Sequence, residues 1–165
     1  VALTKPQGDM VMKLGTEQAS TSGTAIDFTG IPAGTRQIVI CFKGVSTNGV
    51  SALIIQIGDS GGIENTGYLG GQIFINTSTP SAANQTDSFR VAFTAAAATL
   101  HGSFILTLED DSDNTWTMLG GMVQDTTAGG MTAGSKALSG VLDRIRITSV
   151  SADTFDAGVI NIAYF

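Results

Sequence analysis

The stretch Ala25–Gly58, AIDFTGIPAGTRQIVICFKGVSTNGVSALIIQIG, decides the fold. Within it Ile38, Ile40 and Phe42 alternate with Val39, Cys41 and Lys43, the two-residue period of a β-strand. Leu53, Ile55 and Ile57 resume that period after Ser46-Thr47-Asn48-Gly49, and Asn-Gly is a strong short hairpin signal. The stretch therefore reads as a strand over 36–44, a tight turn, and a returning strand over 51–57. Apolar side chains on both faces of these strands predict a central position, covered on each side. A shorter strand over 25–28 precedes them, stopped by Thr29-Gly30-Ile31-Pro32-Ala33-Gly34.

The same grammar extends outward. Leu138–Phe165, LSGVLDRIRITSVSADTFDAGVINIAYF, reads as strands over 144–150 and 159–165 around the turn Ser151-Ala152-Asp153. Between the two stretches, 68–76, 87–93, 100–109 and 115–124 are strand candidates, and Asp110-Asp111-Ser112-Asp113-Asn114 is a hairpin tip. Ala128–Gly134, rich in Gly and small residues, reads as a flexible loop, and Met10–Leu14 as one short strand. The only helix-forming run, Ala95–Ala98, is too short to hold a helix by itself. About eight to eleven short strands separated by turns predict an all-β, antiparallel sandwich of jelly-roll-like form, with little or no helix. Residues 1–22 read as a connecting segment and 23–165 as one domain. Val1 in place of Met suggests a processed protein or a piece of a longer one.

Composition narrows the function. The chain has 165 residues, and only 13% are charged, against roughly 25% in an average soluble domain. So thin a charged coat points to a homo-oligomer, in which Thr and Ser sit at an interface without the desolvation cost of ions. A net charge of −6 with eight scattered Lys and Arg excludes nucleic acid as a natural partner. No apolar run approaches the ~18 residues of a membrane span. Cys41 is the sole cysteine; within an apolar run it reads as a small buried hydrophobe, and it fits synthesis in a reducing cytosol. The sequons Asn76-Thr77-Ser78 and Asn84-Gln85-Thr86 are of a kind that arises by chance in a Thr-rich chain.

The residues carry no obvious catalytic set. His101, the only histidine, lies opposite an apolar strand face, and no Gly-x-Ser-x-Gly elbow surrounds any serine. One His and one Cys exclude a zinc site of the usual ligand types. Most of the aspartates lie in turns, where Asp bonds its own backbone, so a glycosidase pair with one raised pKa is not legible. The acidic cluster Glu109–Asn114 is the strongest chemical feature. Its Asp111 and Asp113 are a weak Ca²⁺ candidate against the alternative of a solvated hairpin tip, since the glycine and distant Glu of an EF-hand are missing. Trp116 beside this tip, and Tyr68 after Glu64-Asn65-Thr66-Gly67, are candidate platforms on which a sugar's apolar face could stack. Asn65, Asp111, Asp113 and Asn114 would meet its hydroxyls. For both aromatics the alternative is core packing.

An ordered set of segments carries a family resemblance. It comprises Asp27-Phe28-Thr29-Gly30-Ile31-Pro32, Gly44-Val45-Ser46-Thr47-Asn48-Gly49, and Ile55-Gln56-Ile57-Gly58 followed by Thr66-Gly67-Tyr68. Gly140–Thr148, then Asp153–Gly158 with Ile160-Asn161-Ile162, complete it. These segments resemble the C-terminal β-sandwich domain of bacteriophage tail fibres and related prophage proteins. The resemblance implies a homotrimeric, non-catalytic fibre tip, made in the host cytoplasm and carried on the virion. Such a tip attaches to a bacterial surface polysaccharide, lipopolysaccharide or capsule. It transfers no binding residue, because the matching segments are scaffold. The alternatives are a trimerisation or head-decoration domain without ligand, and a component of a polysaccharide depolymerase.

Overall fold

The computed structural model describes residues 11–76, 80–92, 95–96 and 98–165. Among them the chain is all β, with no helix, and it forms a sandwich of two antiparallel sheets. The larger sheet contains β1 (Lys13–Leu14), β2 (Gln18–Ala19), β4 (Gln37–Thr47), β7 (Tyr68–Asn76) and β8 (Pro80–Gln85). It continues with β10 (Leu100–Asp110), β11 (Thr115–Gln124), β12 (Ala128–Ala137) and β14 (Phe155–Tyr164). Its order is β1-β14-β4-β10-β11-β12-β7-β8, with β2 also on β14. The smaller sheet holds β3 (Ala25–Thr29), β5 (Leu53–Asp59), β6 (Gly62–Ile63), β9 (Phe89–Ala92) and β13 (Arg144–Ser149), in the order β3-β13-β5-β6 with β9 on β5.

Alternation sorts each strand into an inner and an outer row. Ile38, Ile40 and Phe42 of β4, and Phe104 and Leu106 of β10, face Ile26, Phe28, Leu53, Ile55, Ile57, Ile145 and Ile147 of the smaller sheet in one continuous core. Phe42 and Phe104 meet edge-to-face at 5.8 Å, as do Tyr68 and Phe89 at 4.9 Å. At Gly120 the inner row comes so close to its neighbour that a Cβ would lie 2.4 Å from the Ser103 carbonyl oxygen. Gly158 has a φ of +91°, the conformation of a register shift that lets β14 bend over β4.

Several expectations need correction. The Asn48-Gly49 segment does not close a hairpin: β4 and β5 lie in different sheets, and the segment carries the chain from one to the other. Asn48 instead ties to the opposite loop, its N–H donating to the Thr154 carbonyl at 2.9 Å and its side chain accepting from Thr154 N–H at 3.0 Å. Nor is β4 covered on both faces, for Cys41 is exposed rather than buried. Residues 128–134 are no loop but part of β12, paired over its length with β11 and β7. Glycine weakens strand propensity, but two partner ladders supply the hydrogen bonds that override it. Residues 13–20, within the predicted connecting segment, add β1 and β2 to β14. There Gly15 N–H donates to the Ile162 carbonyl at 2.7 Å, and buried Ser20 bonds the Ala157 and Gly158 carbonyls. Phe93, Thr77 and Ser78, and the turn Lys5–Asp9, lie outside the described residues.

Candidate functional site

Four loops converge at one end of the sandwich, and main-chain bonds tie them together. Ile31 N–H of the β3–β4 loop donates to the Asp143 carbonyl at 2.9 Å, and Leu108 N–H to the Arg36 carbonyl at 2.9 Å. Leu138 N–H donates to the Asn114 carbonyl at 3.2 Å, joining the β12–β13 loop to the acidic tip. Ser139 N–H donates to Glu64 Oε1 at 2.7 Å, which brings in the β6–β7 loop.

The acidic tip folds on its own side chains. Asp110 accepts from Ser112 N–H at 2.8 Å and from its hydroxyl at 2.7 Å, and these bonds hold the Asp110 carboxyl below its ordinary range. Asp113 accepts from Thr115 N–H at 3.0 Å, and Asn114 closes the turn with a φ of +55°. Asp111 reaches across to Arg36 at 3.0 Å, in an exposed pair. No group of three or more His, Cys, Asp or Glu able to hold a metal ion occurs among the described residues.

Beneath the tip lies a cavity of about 140 Å³ whose lining includes Arg36, Leu108, Asp111, Asn114, Trp116 and Leu142. It is smaller than the roughly 300 Å³ where ligand pockets usually begin, so it accepts the edge of a ligand rather than a whole one. Trp116 is 2% exposed, and its buried indole N–H has no hydrogen-bond acceptor among the described residues. A buried donor left unpaired costs roughly 1–3 kcal/mol, and with so little accessible surface this N–H belongs to the core rather than to the cavity wall.

The structure thus brings Trp116, Asp111 and Asn114 together and redefines the first. A ring this buried cannot present its face to a sugar, which corrects the stacking role expected of Trp116. The same holds for Tyr68, which is fully buried. Its hydroxyl accepts from Ile57 N–H at 2.9 Å and donates to the Glu64 carbonyl at 2.9 Å, while burial pushes its pKa upward. Asp113 is occupied in the turn, and Asn65 is exposed on the β6–β7 loop.

Register explains why both aromatics turn inward. Leu108, Trp116, Lys136 and Tyr68 are cross-strand partners in one inner row across β10, β11, β12 and β7. Lys136 sits between the two rings, 95% buried, with its ammonium 5.7 Å from the Tyr68 ring centre. It donates to Glu64 Oε2 and to the Ala137 carbonyl. Burial pushes the Glu64 carboxyl up, but Lys136 and the Ser139 N–H and hydroxyl outweigh it and leave that carboxyl below its ordinary range. The Ser139 hydroxyl oxygen lies 2.8 Å from both carboxylates and has one proton to share between them; with Gly61 N–H also donating to it, the Asp59 carboxyl is lowered as well.

Sequence reasoning missed Arg36 and the Lys136–Glu64 pair. Arg36 was legible only as the first residue of a strand. Lys136 became an inner-row residue only once 128–137 was known to be a strand.

No protein-family model, curated protein or solved structure matches the chain.

Proposed function

We propose that this chain is a non-catalytic receptor-binding domain of a phage tail-fibre tip, homotrimeric on the virion, which attaches to a bacterial surface glycan. The observation that carries this reading is the four-loop end, where a small cavity is rimmed by Arg36, Asp111 and Asn114. These are donors and acceptors of the kind that meet sugar hydroxyls, held on a rigid frame. The carboxylates here favour binding over hydrolysis. Asp59, Glu64 and Asp110 are held low, whereas a glycosidase acid must be raised. Weak attachment by each subunit would be multiplied across a trimer.

Adsorption to bacteria tests the reading. The purified chain should bind saturably to a susceptible strain and fail on mutants stripped of lipopolysaccharide or capsule. Asp111→Ala, which removes an exposed acceptor from the rim, should weaken binding by about fivefold, the worth of one hydrogen bond. Equal binding to stripped cells sinks the proposal.

A second reading, a structural trimerisation or decoration domain without ligand, draws on a different observation: the outer face of the larger sheet, whose rows across β7, β12, β11 and β10 carry no charged residue. A stable oligomer that gives no signal on a glycan array would favour it.

A further inference from the structure

The outer face of the larger sheet is apolar where a solvated sheet face would be polar. Cross-strand register sets its residues in rows. One row runs Gly71, Ala133, Leu119, Ile105, Val39 and Ala163 across β7, β12, β11, β10, β4 and β14. The next runs Ile73, Met131, Gly121, Ser103, Cys41 and Asn161 along the same strands. Ile75, Gly129, Val123 and His101 flank it on one side, and Leu69, Ser135, Thr117 and Thr107 flank the first row on the other. Across β7, β12, β11 and β10 these rows hold no Lys, Arg, Asp or Glu.

The large side chains stand well into solvent. Leu69 is 75% exposed, Met131 62%, and Ile73, Ile75 and Leu119 each 58%, with Val123 at 51% and Ile105 at 41%. Together they present on the order of 700 Å² of apolar surface, above the roughly 300–600 Å² of the largest patch on a typical monomer. That is close to the ~800 Å² each partner contributes to a stable protein interface.

Shape says what kind of partner fits. Leu119 and Ile105 form a ridge, and Gly121 and Gly129, one and two rows away, leave a hollow of about 830 Å³ walled by Ile73, Val123 and Met131. Ridge and hollow lie side by side on one surface, so the ridge of one copy can seat in the hollow of the next, a heterologous contact that closes into a ring when repeated. With no charge to pair, the face offers nothing to an ionic partner. Its polar groups, Ser103 and His101 beside the hollow and Ser135, Thr117 and Thr107 along one flank, are single hydroxyls and an imidazole rather than the clustered carboxylates and amides that meet a sugar.

We infer that the outer face of the larger sheet, centred on Leu119, Gly121 and Met131, is the surface through which this chain associates with further copies of itself. The homotrimer of the proposed function would use this face. The two ideas fail separately, because association is read from mass and glycan recognition from adsorption to cells.

Light scattering on the full chain across a micromolar to near-millimolar range tests the inference. The wild type should reach the mass of a dimer or trimer. Leu119→Asp should weaken association at least ~30-fold, the effect of losing a central interface residue, while keeping the wild-type circular dichroism spectrum. Val50→Asp puts the same charge at another apolar position, 72% exposed but off this face, and should leave the mass unchanged. Met131→Lys repeats the test at a second position, in case Leu119→Asp fails to fold. A wild type that stays monomeric overturns the inference, as does a folded Leu119→Asp or Met131→Lys chain of unreduced mass, or a Val50→Asp chain that dissociates equally.

Discussion

The two outer faces of this sandwich are built on the same antiparallel geometry yet present opposite chemistry. On the smaller sheet, Asp27 and Arg146 are cross-strand partners joined by two hydrogen bonds at 2.8 and 2.7 Å. Thr29, Arg144, Gln56 and Thr148 complete a polar surface. On the larger sheet the corresponding positions are mostly Leu, Ile, Val, Met, Gly and Ala, with a few uncharged Ser and Thr among them. A face bearing paired charges holds its water and stays single, whereas an apolar face gains free energy whenever something covers it. The difference teaches that the scarcity of charge in this chain is not spread evenly but is concentrated on one surface.

The largest expected effect separates the inner and outer rows of a single strand. Phe104→Ala removes a fully buried ring from the shared core and should cost about 4 kcal/mol in denaturant unfolding. Ile105→Ala, one residue along on the outer row, should cost the isolated monomer only about 0.5 kcal/mol and act on association instead. Equal losses at the two positions would break the distinction between the rows.

Next comes the buried cation. Lys136→Ala leaves the partly buried Glu64 carboxylate without its counterion and should cost about 3 kcal/mol. The pH dependence has a definite sign. Glu64 and Asp59 have folded pKa values below the ordinary 4.5 and 3.8, so the stability they contribute is present above those values and lost as pH falls through the folded ones. The melting temperature should therefore drop on acidification below about pH 4.5, and more shallowly in Lys136→Ala than in the wild type. An identical acid limb in both would remove the pair from the account.

On the charged face, Asp27→Asn should cost at most about 1 kcal/mol, since both partners are 39% exposed and solvent screens them. That loss should shrink at high salt, whereas association through the apolar face should not weaken with salt. The smallest effect belongs to an outer-row glycine. Gly71→Ala meets nothing closer than 3.7 Å and should shift stability by no more than about 0.5 kcal/mol, against a severe loss for Gly120→Ala, where the added carbon meets backbone.

How much was legible varies along the chain in a physical way. Strands 37–47, 53–59, 100–110 and 115–124 were readable because their inner rows are large and apolar. Strand 128–137 was not, because Thr132, Gly134 and Lys136 form its inner row and carry no hydrophobic alternation. The acidic tip was readable as a hairpin from its turn residues. Its neighbours at the loop end were not, since Arg36, Glu64 and Ser139 lie far apart in sequence and meet only through the folded loops.

By itself the sequence determined that this protein is an all-β sandwich with few charges and a hairpin at 110–114, because strand period and turn chemistry are local properties. Tertiary structure decided which sheet each strand joined, as the Asn48-Gly49 crossover shows. It also decided that Trp116 and Tyr68 turn inward and that Cys41 turns out. Register is the reason: a shift of one residue exchanges the two faces of a strand, and only pairing with distant neighbours sets it.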